Sequence, residues 1–465
     1  MENVTLLMAA EICNGQLIGS EQSGQIYIQN VIIDSRNVKK NDLFIALKGE
    51  NSDGHIFIPS AFEKGACAVL SEQKLKNPQG TYILVENCMK ALKDLATYYR
   101  NSFAIKVVGI TGSVGKTSTK EMIASVLNQK YHTLKTEGNF NNEIGLPLTI
   151  FRLDHTYEAA VLEMGISEFG EMERLSSMAV PDVAVITNIG LCHLESLKTR
   201  EGILKAKTEI FHHIKEKAFV FLNGDDDKLS KVEAPENSEL TFYGINENMK
   251  YAQGKKQVYA TDIKSQGLKG IELNINTPKG SFEALIPIPG EHNVYNALAA
   301  TAVGLAFELS LEQIKEGLTT VKTISGRTNL LEVAGKTLID DGYNANPVSM
   351  KAALDVLEMA KGRKIAVLGD MKDLGEKEKE LHYETGVYMA QKKIDTLFCT
   401  GELMEDFVKA LKDKHASIET YYYKTQEEME ENLFAFMKTG DTILVKSSHY
   451  FMDFRGLRER LKHMK

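Results

Sequence analysis

Residues 107–121 read VVGITGSVGKTSTKE, and the chemistry lies in Gly112, Ser113, Val114, Gly115, Lys116, Thr117 and Ser118. The backbone N–H groups of a glycine-rich turn and of a following helix N-terminus converge on an anion. A lysine at that helix start adds a full positive charge for the outer phosphates of a nucleotide. A threonine beside it offers a hydroxyl to Mg²⁺. The spacing departs from the usual phosphate-loop pattern, which asks for a glycine where this chain has Ile110; the glycines fall at Gly109 and Gly112 instead. Context favours a phosphate site all the same. The apolar run AIKVVGIT reads as a buried strand before the loop, and Met122, Ile123, Val126 and Leu127 recur at helical spacing after it. An ATP or GTP site follows, without specifying the reaction that uses it.

The elements that position this loop alternate along the chain. In the first hundred or so residues, IYIQNVIIDS, DLFIAL, ACAVLSE and TYILVEN read as short strands. NCMKALKDLATYYRNS reads as a helix from about Asn87, with Leu92, Leu95, Ala96 and Tyr99 on one face. After the loop, AAVLEM (159–164), VAVITNI (183–189) and AFVFLN (218–223) read as strands separated by helices, the pattern of a mostly parallel, helix-covered sheet. Residues 236–290 are richer in Asn, Gly, Lys and Thr and read as an antiparallel side excursion. NVYNALAATAVGLAFEL then returns as a helix. Near KTISGRT (322–328) the alternation restarts, with KTLIDD, RKIAVLGD, DTLFCTG and DTILVKS as strands. The expectation is an α/β protein of three domains: a small N-terminal α/β domain over 1–102, a central phosphate-loop domain with a parallel sheet over 103–322, and a Rossmann-like C-terminal domain over 323–465.

Composition agrees with this class. At roughly 100–200 residues per domain, 465 residues make two to four domains. A net charge of -8 argues against broad, sequence-independent nucleic-acid binding. The five cysteines, at 13, 67, 88, 192 and 399, have no metal-ligand spacing and read as small buried hydrophobes in a reducing compartment. The start MENVTLLMAAEICNG lacks the basic and apolar regions of a signal peptide, and no run approaches the ~18 apolar residues of a spanning helix. A cytoplasmic, monomeric protein outside the membrane is expected.

Further clusters share nothing with common GTPases: GNFNNEIGLPLT (138–149), LEMGISEFGEM (162–172), ITNIGLCHLE (186–195), ILKAKTEIF (203–211), PGEHNVYNALAA (289–300), SGRTNLLE (325–332) and IDDGYNANPVSM (339–350). In this order, with TGSVGKTS, the sequence resembles the Mur ligases, ATP-dependent amide-forming enzymes of peptidoglycan precursor synthesis. That family's loop has the shorter form T-G-x-x-G-K-T/S, which accounts for the missing glycine. YNANP and LGDMKDLG (368–375) resemble the branch that joins D-alanyl-D-alanine to a UDP-N-acetylmuramoyl-tripeptide through an acyl phosphate; the DNPR motif of a sister branch is absent. Other Mur or folylpolyglutamate-type ligases, and a nucleotide switch without ligase activity, are the competing readings.

The resemblance assigns roles. Lys116 and Thr117 hold ATP and Mg²⁺. Glu163, at a strand's C-terminal end, matches the family's metal-binding glutamate, and His193 a ligand of a second Mg²⁺. Lys207 matches a lysine that the family carbamylates, turning an ammonium into an anion that can hold metal; on its own it reads as a solvated helix lysine, with Lys205 as neighbour. His292, Asn293 and Asn296 serve the nucleotide's adenine side, with Asn293 alternatively a helix cap. Arg327, Asp341, Tyr343 and Asn344 reach the nucleotide from the third domain, and Arg327 can neutralise the transferring phosphate. Asn346-Pro347 shapes a helix start. Ser35 and Arg36 resemble the grip on the UDP end, against a plain turn with a surface arginine. Asp53-Gly54-His55 reads as structural. Asn139, Asn141 and Asn142 suit a sugar or peptide. The resemblance predicts Gly and Arg after the last strand, where this chain has Ser447 and His449 between the matching Lys446 and Ser448 and beyond.

Overall fold

The structure, a computed structural model, describes residues 1–49, 52–245, 256–448 and 454–463. Three sheets divide it. The first has five strands in the order Gln16–Ile18, Tyr82–Leu84, Ala68–Ser71, Leu43–Ile45, Val31–Ile32, parallel except for the Gln16–Ile18 edge. IYIQNVIIDS contributes only its Val31–Ile32 pair to this sheet. Tyr27 makes an isolated bridge to Thr5, and the Asp34 carboxylate accepts from Arg36 N, bending the chain into a short turn. The helix Cys88–Asn101 follows, capped where expected by the Asn87 side chain on Lys90 N. Its end ties the first sheet's layer to the second. Buried Arg100 donates from Nε to Ala179 O at 2.8 Å, and Tyr99 Oη donates to Leu153 O at 2.6 Å.

The central sheet has nine strands, ordered Gly280–Ile286, Ile271–Thr277, Lys256–Ser265, Glu239–Gly244, Phe219–Asn223, Val183–Ile186, Lys106–Thr111, Ala159–Glu163, Thr133–Lys135. Strands covered on both faces read as near-continuous apolar runs; Val107, Val108 and Ile110, and Ala159 through Leu162, are all buried. The excursion over 236–290 differs from expectation. Glu239–Gly244 and Lys256–Ser265 add to the main sheet in parallel, and only the pairings from Lys256–Ser265 to Ile271–Thr277 and on to Gly280–Ile286 are antiparallel. Its 246–255 part lies outside the described residues. The helices Lys116–Leu127 and His292–Ala306 pack together on one face, with Val126, Leu127, Val294 and Leu298 fully buried.

The third sheet has six strands, ordered Asn329–Val333, Lys336–Asp340, Thr442–Lys446, Lys364–Leu368, Thr396–Thr400, Glu419–Tyr423, with only the first antiparallel. The four strands expected are its centre. No helix among the described residues is long and apolar enough to cross a membrane.

Candidate active site

The phosphate loop is a tight turn that only glycines allow. Gly112 has φ +146°, and a Cβ there would lie 1.9 Å from Thr187 Oγ1. Gly115, at φ +81°, caps the helix Lys116–Leu127, so the helix N-terminus opens onto the loop. The neighbouring strand end braces the turn. Thr187 Oγ1 and Asn188 Nδ2 donate to Val114 O at 2.7 and 2.9 Å, and Asn188 Oδ1 accepts from Val114 N at 3.1 Å. Lys116 Nζ lies back across the loop, donating to Gly112 O at 2.9 Å.

Beside the loop, Glu163 ends its strand 2% exposed. Its Oε1 accepts from Asn141 Nδ2 at 2.8 Å, whereas its buried Oε2 has no hydrogen-bond partner. The nearest cation to that oxygen is Lys120 Nζ at 4.0 Å, which is held by Thr136 O at 2.6 Å and Glu121 Oε1 at 3.1 Å. His193 sits at φ +51° in the loop before a short helix. Burial, with Lys207 and Lys116 adding in the same direction, pushes its pKa down to about 4, so the imidazole is neutral and able to act as a ligand. Lys207, on the helix Arg200–Thr208, is 1% exposed. Burial brings its pKa down to about 8, with Lys116 acting the same way and Cys192 and Glu171 opposing.

The third domain closes over this loop. The Arg327 guanidinium stacks 4.0 Å above the Tyr343 ring, and its Nη2 donates to Thr117 Oγ1 at 3.4 Å. Its Nε is buried without a hydrogen-bond partner, which leaves a donor unsatisfied. Asp341 accepts from Thr328 N at 2.8 Å and pairs with Lys446 Nζ at 2.5 Å; Lys446 also donates to Asn344 O at 3.0 Å. Lys446 therefore fixes the Asp341–Asn344 loop. Ser448 accepts from Lys372 N at 2.8 Å, and His449 lies outside the described residues.

A cleft of about 1340 Å³ joins these parts. Ser113, Val114, Gly115, Lys116, Thr117 and Ser118 line it, with Asn139, Asn141, Asn142, Glu163, His193, His292, Asn296, Arg327, Asp341, Tyr343 and Asn344. Gly112, Lys207 and Asn293 are not on its wall. Asn293 is the second residue of its helix, not the cap. It donates to Pro289 O at 2.8 Å and accepts from Asn296 Nδ2 at 2.9 Å, while Asn296 Oδ1 accepts from Thr119 Oγ1 at 2.8 Å. This buried relay ties the phosphate-loop helix to the His292–Ala306 helix. Burial lowers the pKa of His292. Ser35 and Arg36 stand away from the cleft in the first domain: Ser35 is buried, and the exposed Arg36 forks onto Asp34, its Nη2 at 2.7 Å from the carboxylate. Asp53 and His55 bond each other at 2.6 Å, and His55 Nε2 accepts from Glu72 N, a structural turn as expected. Asn346 caps its helix with Pro347 in the first turn.

Sequence reasoning did not single out Lys120, the Thr187–Asn188 brace, or the cleft residues Asp225, Asp226 and Tyr295. Asp225 and Asp226 carried a usable signal. They follow the strand Phe219–Asn223 just as Glu163 ends its own.

Family models match most of the chain: "Mur ligase family, catalytic domain" over 27–100, "Mur ligase middle domain" over 110–304 and "Mur ligase, glutamate ligase domain" over 326–449. The chain is 38% identical over 449 residues to the UDP-N-acetylmuramoyl-tripeptide–D-alanyl-D-alanine ligase of Bacillus subtilis (strain 168), covering 96% of this chain and 95% of that one. Its structure is similar to a MurF from Acinetobacter baumannii at TM-score 0.88 and 32% identity, covering 98% of each chain. It also resembles a MurF from Thermotoga maritima in complex with ADP at TM-score 0.79 and 32% identity, covering 93% of this chain and 97% of that one.

Proposed function

The chain belongs to the Mur ligase family, and on that premise we infer that it is an ATP-dependent ligase adding D-alanyl-D-alanine to UDP-N-acetylmuramoyl-tripeptide in peptidoglycan precursor synthesis. The observation that carries the reading is the single cleft in which a phosphate loop, a half-satisfied buried glutamate and an arginine with an unpartnered Nε face one another.

The reaction has two steps. The tripeptide's terminal carboxylate attacks the γ-phosphorus of ATP, the bond to the bridging oxygen breaks, and ADP leaves an acyl phosphate. The free amine of D-alanyl-D-alanine then attacks the acyl carbon, loses a proton, and the tetrahedral intermediate expels phosphate. Both steps concentrate negative charge, so fixed cations and dipoles supply most of the stabilisation. The helix N-terminus at Gly115 and the Lys116 ammonium hold the β and γ phosphates. Arg327 reaches the transferring phosphoryl group from the third domain, so domain closure and catalytic competence are coupled. Its stacking on Tyr343 limits the directions the guanidinium can take.

Mg²⁺ fits the donor set. Glu163 Oε2 is a buried carboxylate oxygen lacking a partner, and Thr117 Oγ1 and the neutral His193 imidazole line the same cleft. Among the described residues no three His, Cys, Asp or Glu side chains cluster at metal distance. That suits a hard cation bound by one or two protein ligands plus substrate phosphates. Glu163 and Thr117 would hold a first Mg²⁺, and His193 with carbamylated Lys207 a second. When bound, these ions offset the phosphate charge. A lysine reacts with CO₂ only as the neutral amine, and a pKa near 8 keeps a useful neutral fraction at physiological pH. Asn139, Asn141 and Asn142 meet the sugar-peptide substrate, Ser35 and Arg36 its UDP end, and His292 and Asn296 the adenine side. The domain divisions at 102/103 and 322/323, a monomeric state and a cytoplasmic location complete the reading.

Phosphate release tests it. ATP turnover should require both UDP-N-acetylmuramoyl-tripeptide and D-alanyl-D-alanine, and single D-alanine or glutamate should not replace the dipeptide. Assaying the diaminopimelate and lysine tripeptides side by side fixes the third residue. Turnover at one rate with or without the dipeptide overturns the ligase reading.

A further inference from the structure

Arg327 leaves the chain from the turn Ser325–Gly326, and that turn is held from behind. Gly326, at φ +81°, is closely hemmed in: a Cβ would lie 3.1 Å from Tyr343 Cβ and 3.3 Å from Arg458 Nη1. Asp340, fully buried at the end of its strand, accepts through Oδ2 from Ser325 Oγ and Gly326 N, each at 3.0 Å. The C-terminal helix Phe454–Lys462 supplies two cations to this one carboxylate. Arg458 Nε stands 2.7 Å from Asp340 Oδ1, meeting it as a charge rather than along a hydrogen-bond axis, and Lys462 Nζ stands 3.0 Å from Oδ2. Lys462 Nζ also donates to Ser325 Oγ at 2.7 Å, and Arg458 Nη1 to Gly342 O at 2.9 Å. Arg458 thus touches both ends of the device that aims Arg327: the turn before it, and the residue before Tyr343, whose ring lies under its guanidinium.

Docking the helix does not require these charges. Phe454, Leu457 and Leu461 are buried with Leu338, Ile443 and Val445 in one apolar cluster, which anchors it. A buried ion pair is usually no more stabilising than apolar residues of similar size, so two cations on one buried carboxylate need another reason. We propose that Arg458, seconded by Lys462, is a positioning residue for the ligase reaction: acting through Asp340 and the Ser325–Gly326 turn, it fixes the direction in which Arg327 meets the nucleotide. The proposal rests on the reading of Arg327 as a nucleotide-phosphate contact.

A double-mutant cycle tests it on the full chain. Calorimetry reads the affinity for the magnesium complex of a non-hydrolysable ATP analogue, and thermal unfolding reads stability separately. Arg327→Ala weakens binding. Arg458→Met also weakens it, by roughly tenfold, but by less than about twofold when Arg327→Ala is already present, because a residue that acts only through Arg327 has nothing left to aim. Arg458→Lys recovers most of the affinity. If Arg458→Met proves too unstable to measure, Lys462→Met gives the same cycle with a smaller factor. An equal loss in both backgrounds overturns the proposal and leaves Arg458 a purely structural residue. Unchanged affinity in Arg327→Ala instead removes the reading of Arg327, and the proposal with it.

Discussion

Replacing Lys207 by methionine should abolish the reaction and stabilise the protein. The side chain is 1% exposed, and burial lowers its pKa from an ordinary 10.5 to about 8. That difference, at 1.36 kcal/mol per unit, means the buried ammonium costs about 3 kcal/mol in the folded state at neutral pH. Methionine has similar length, carries no charge and fills the same space. In metal-free, CO₂-stripped buffer at pH 7, Lys207→Met should therefore raise the central domain's melting temperature by roughly 6–12 °C, at about 2–4 °C per kcal/mol for a domain of this size. The gain has a defined pH window. Between pH 8 and 10.5 the unfolded chain still binds the proton that the folded chain has lost, so stability of the parent protein rises with pH there. The advantage of the variant should be full below pH 8 and gone by about pH 10.5. A parallel assay follows phosphate release. The same lowered pKa leaves about a quarter of the amine neutral at pH 7.5, against about a thousandth for an ordinary lysine. Added bicarbonate should restore rate to CO₂-stripped parent enzyme and leave Lys207→Met inactive. Near-normal turnover of the variant removes the carbamate from the mechanism. A variant less stable than the parent at pH 7, or an advantage undiminished at pH 10.5, refutes the account of the buried charge.

Three further outcomes follow from the same geometry. Gly112→Ala places a Cβ 1.9 Å from Thr187 Oγ1 at a φ that alanine avoids, so the loop should distort at a cost on the order of 3 kcal/mol, read as loss of ATP-analogue binding; binding within threefold of the parent contradicts this. Glu163→Gln keeps the shape and the bond from Asn141 but removes the charge beside Lys120. The Mg²⁺ needed for half-maximal analogue binding should rise roughly tenfold or more, and an unchanged requirement takes Glu163 out of the proposed metal site. His193, with a pKa of about 4 against 6.5, stays neutral in the fold while the unfolded chain gains a proton below 6.5. Its contribution is stability lost as pH falls from 6.5 towards 4, and acid unfolding of His193→Gln should lack that component.

Much of this was legible in the sequence. The central strands of both larger sheets are continuous apolar runs of the kind that two-sided burial demands, and they appear where the runs are. The edge strands Asn329–Val333 and Glu419–Tyr423 were not read, because partly exposed edges mix polar and apolar residues without a clear period. IYIQNVIIDS looks like one strand because its residues favour β structure, but its first half bonds the N-terminal segment, with Ile28 N donating to Val4 O, and the Asp34 turn ends it, so two residues remain in the sheet. In the site, the loop glycines and Glu163 are local signals, a turn geometry and a strand end. Lys207 is different. Its helix has lysine at 205 and 207, one exposed and one buried, and only packing of that helix decides which. Lys120 and the Asp340–Arg458 pair lie further beyond reach, since their partners come from distant parts of the chain.

The distribution of buried charge separates what holds the fold from what serves the reaction. Asp340 and Asp341 are adjacent at one strand end, and their side chains take opposite sides of the chain. Asp341 lines the cleft and is neutralised by Lys446, while Asp340 turns to the C-terminal helix and its two cations. Both carboxylates bind backbone N–H groups of the same segment, at Gly326 and Thr328, on either side of Arg327. On the proposed role of Arg327, an arginine carried by a loop would otherwise sample many directions, and each would cost conformational entropy when the phosphate arrives. Bracing the residue before it and the residue after it moves that cost from the catalytic cycle to folding. The apolar clusters supply the stability that offsets it.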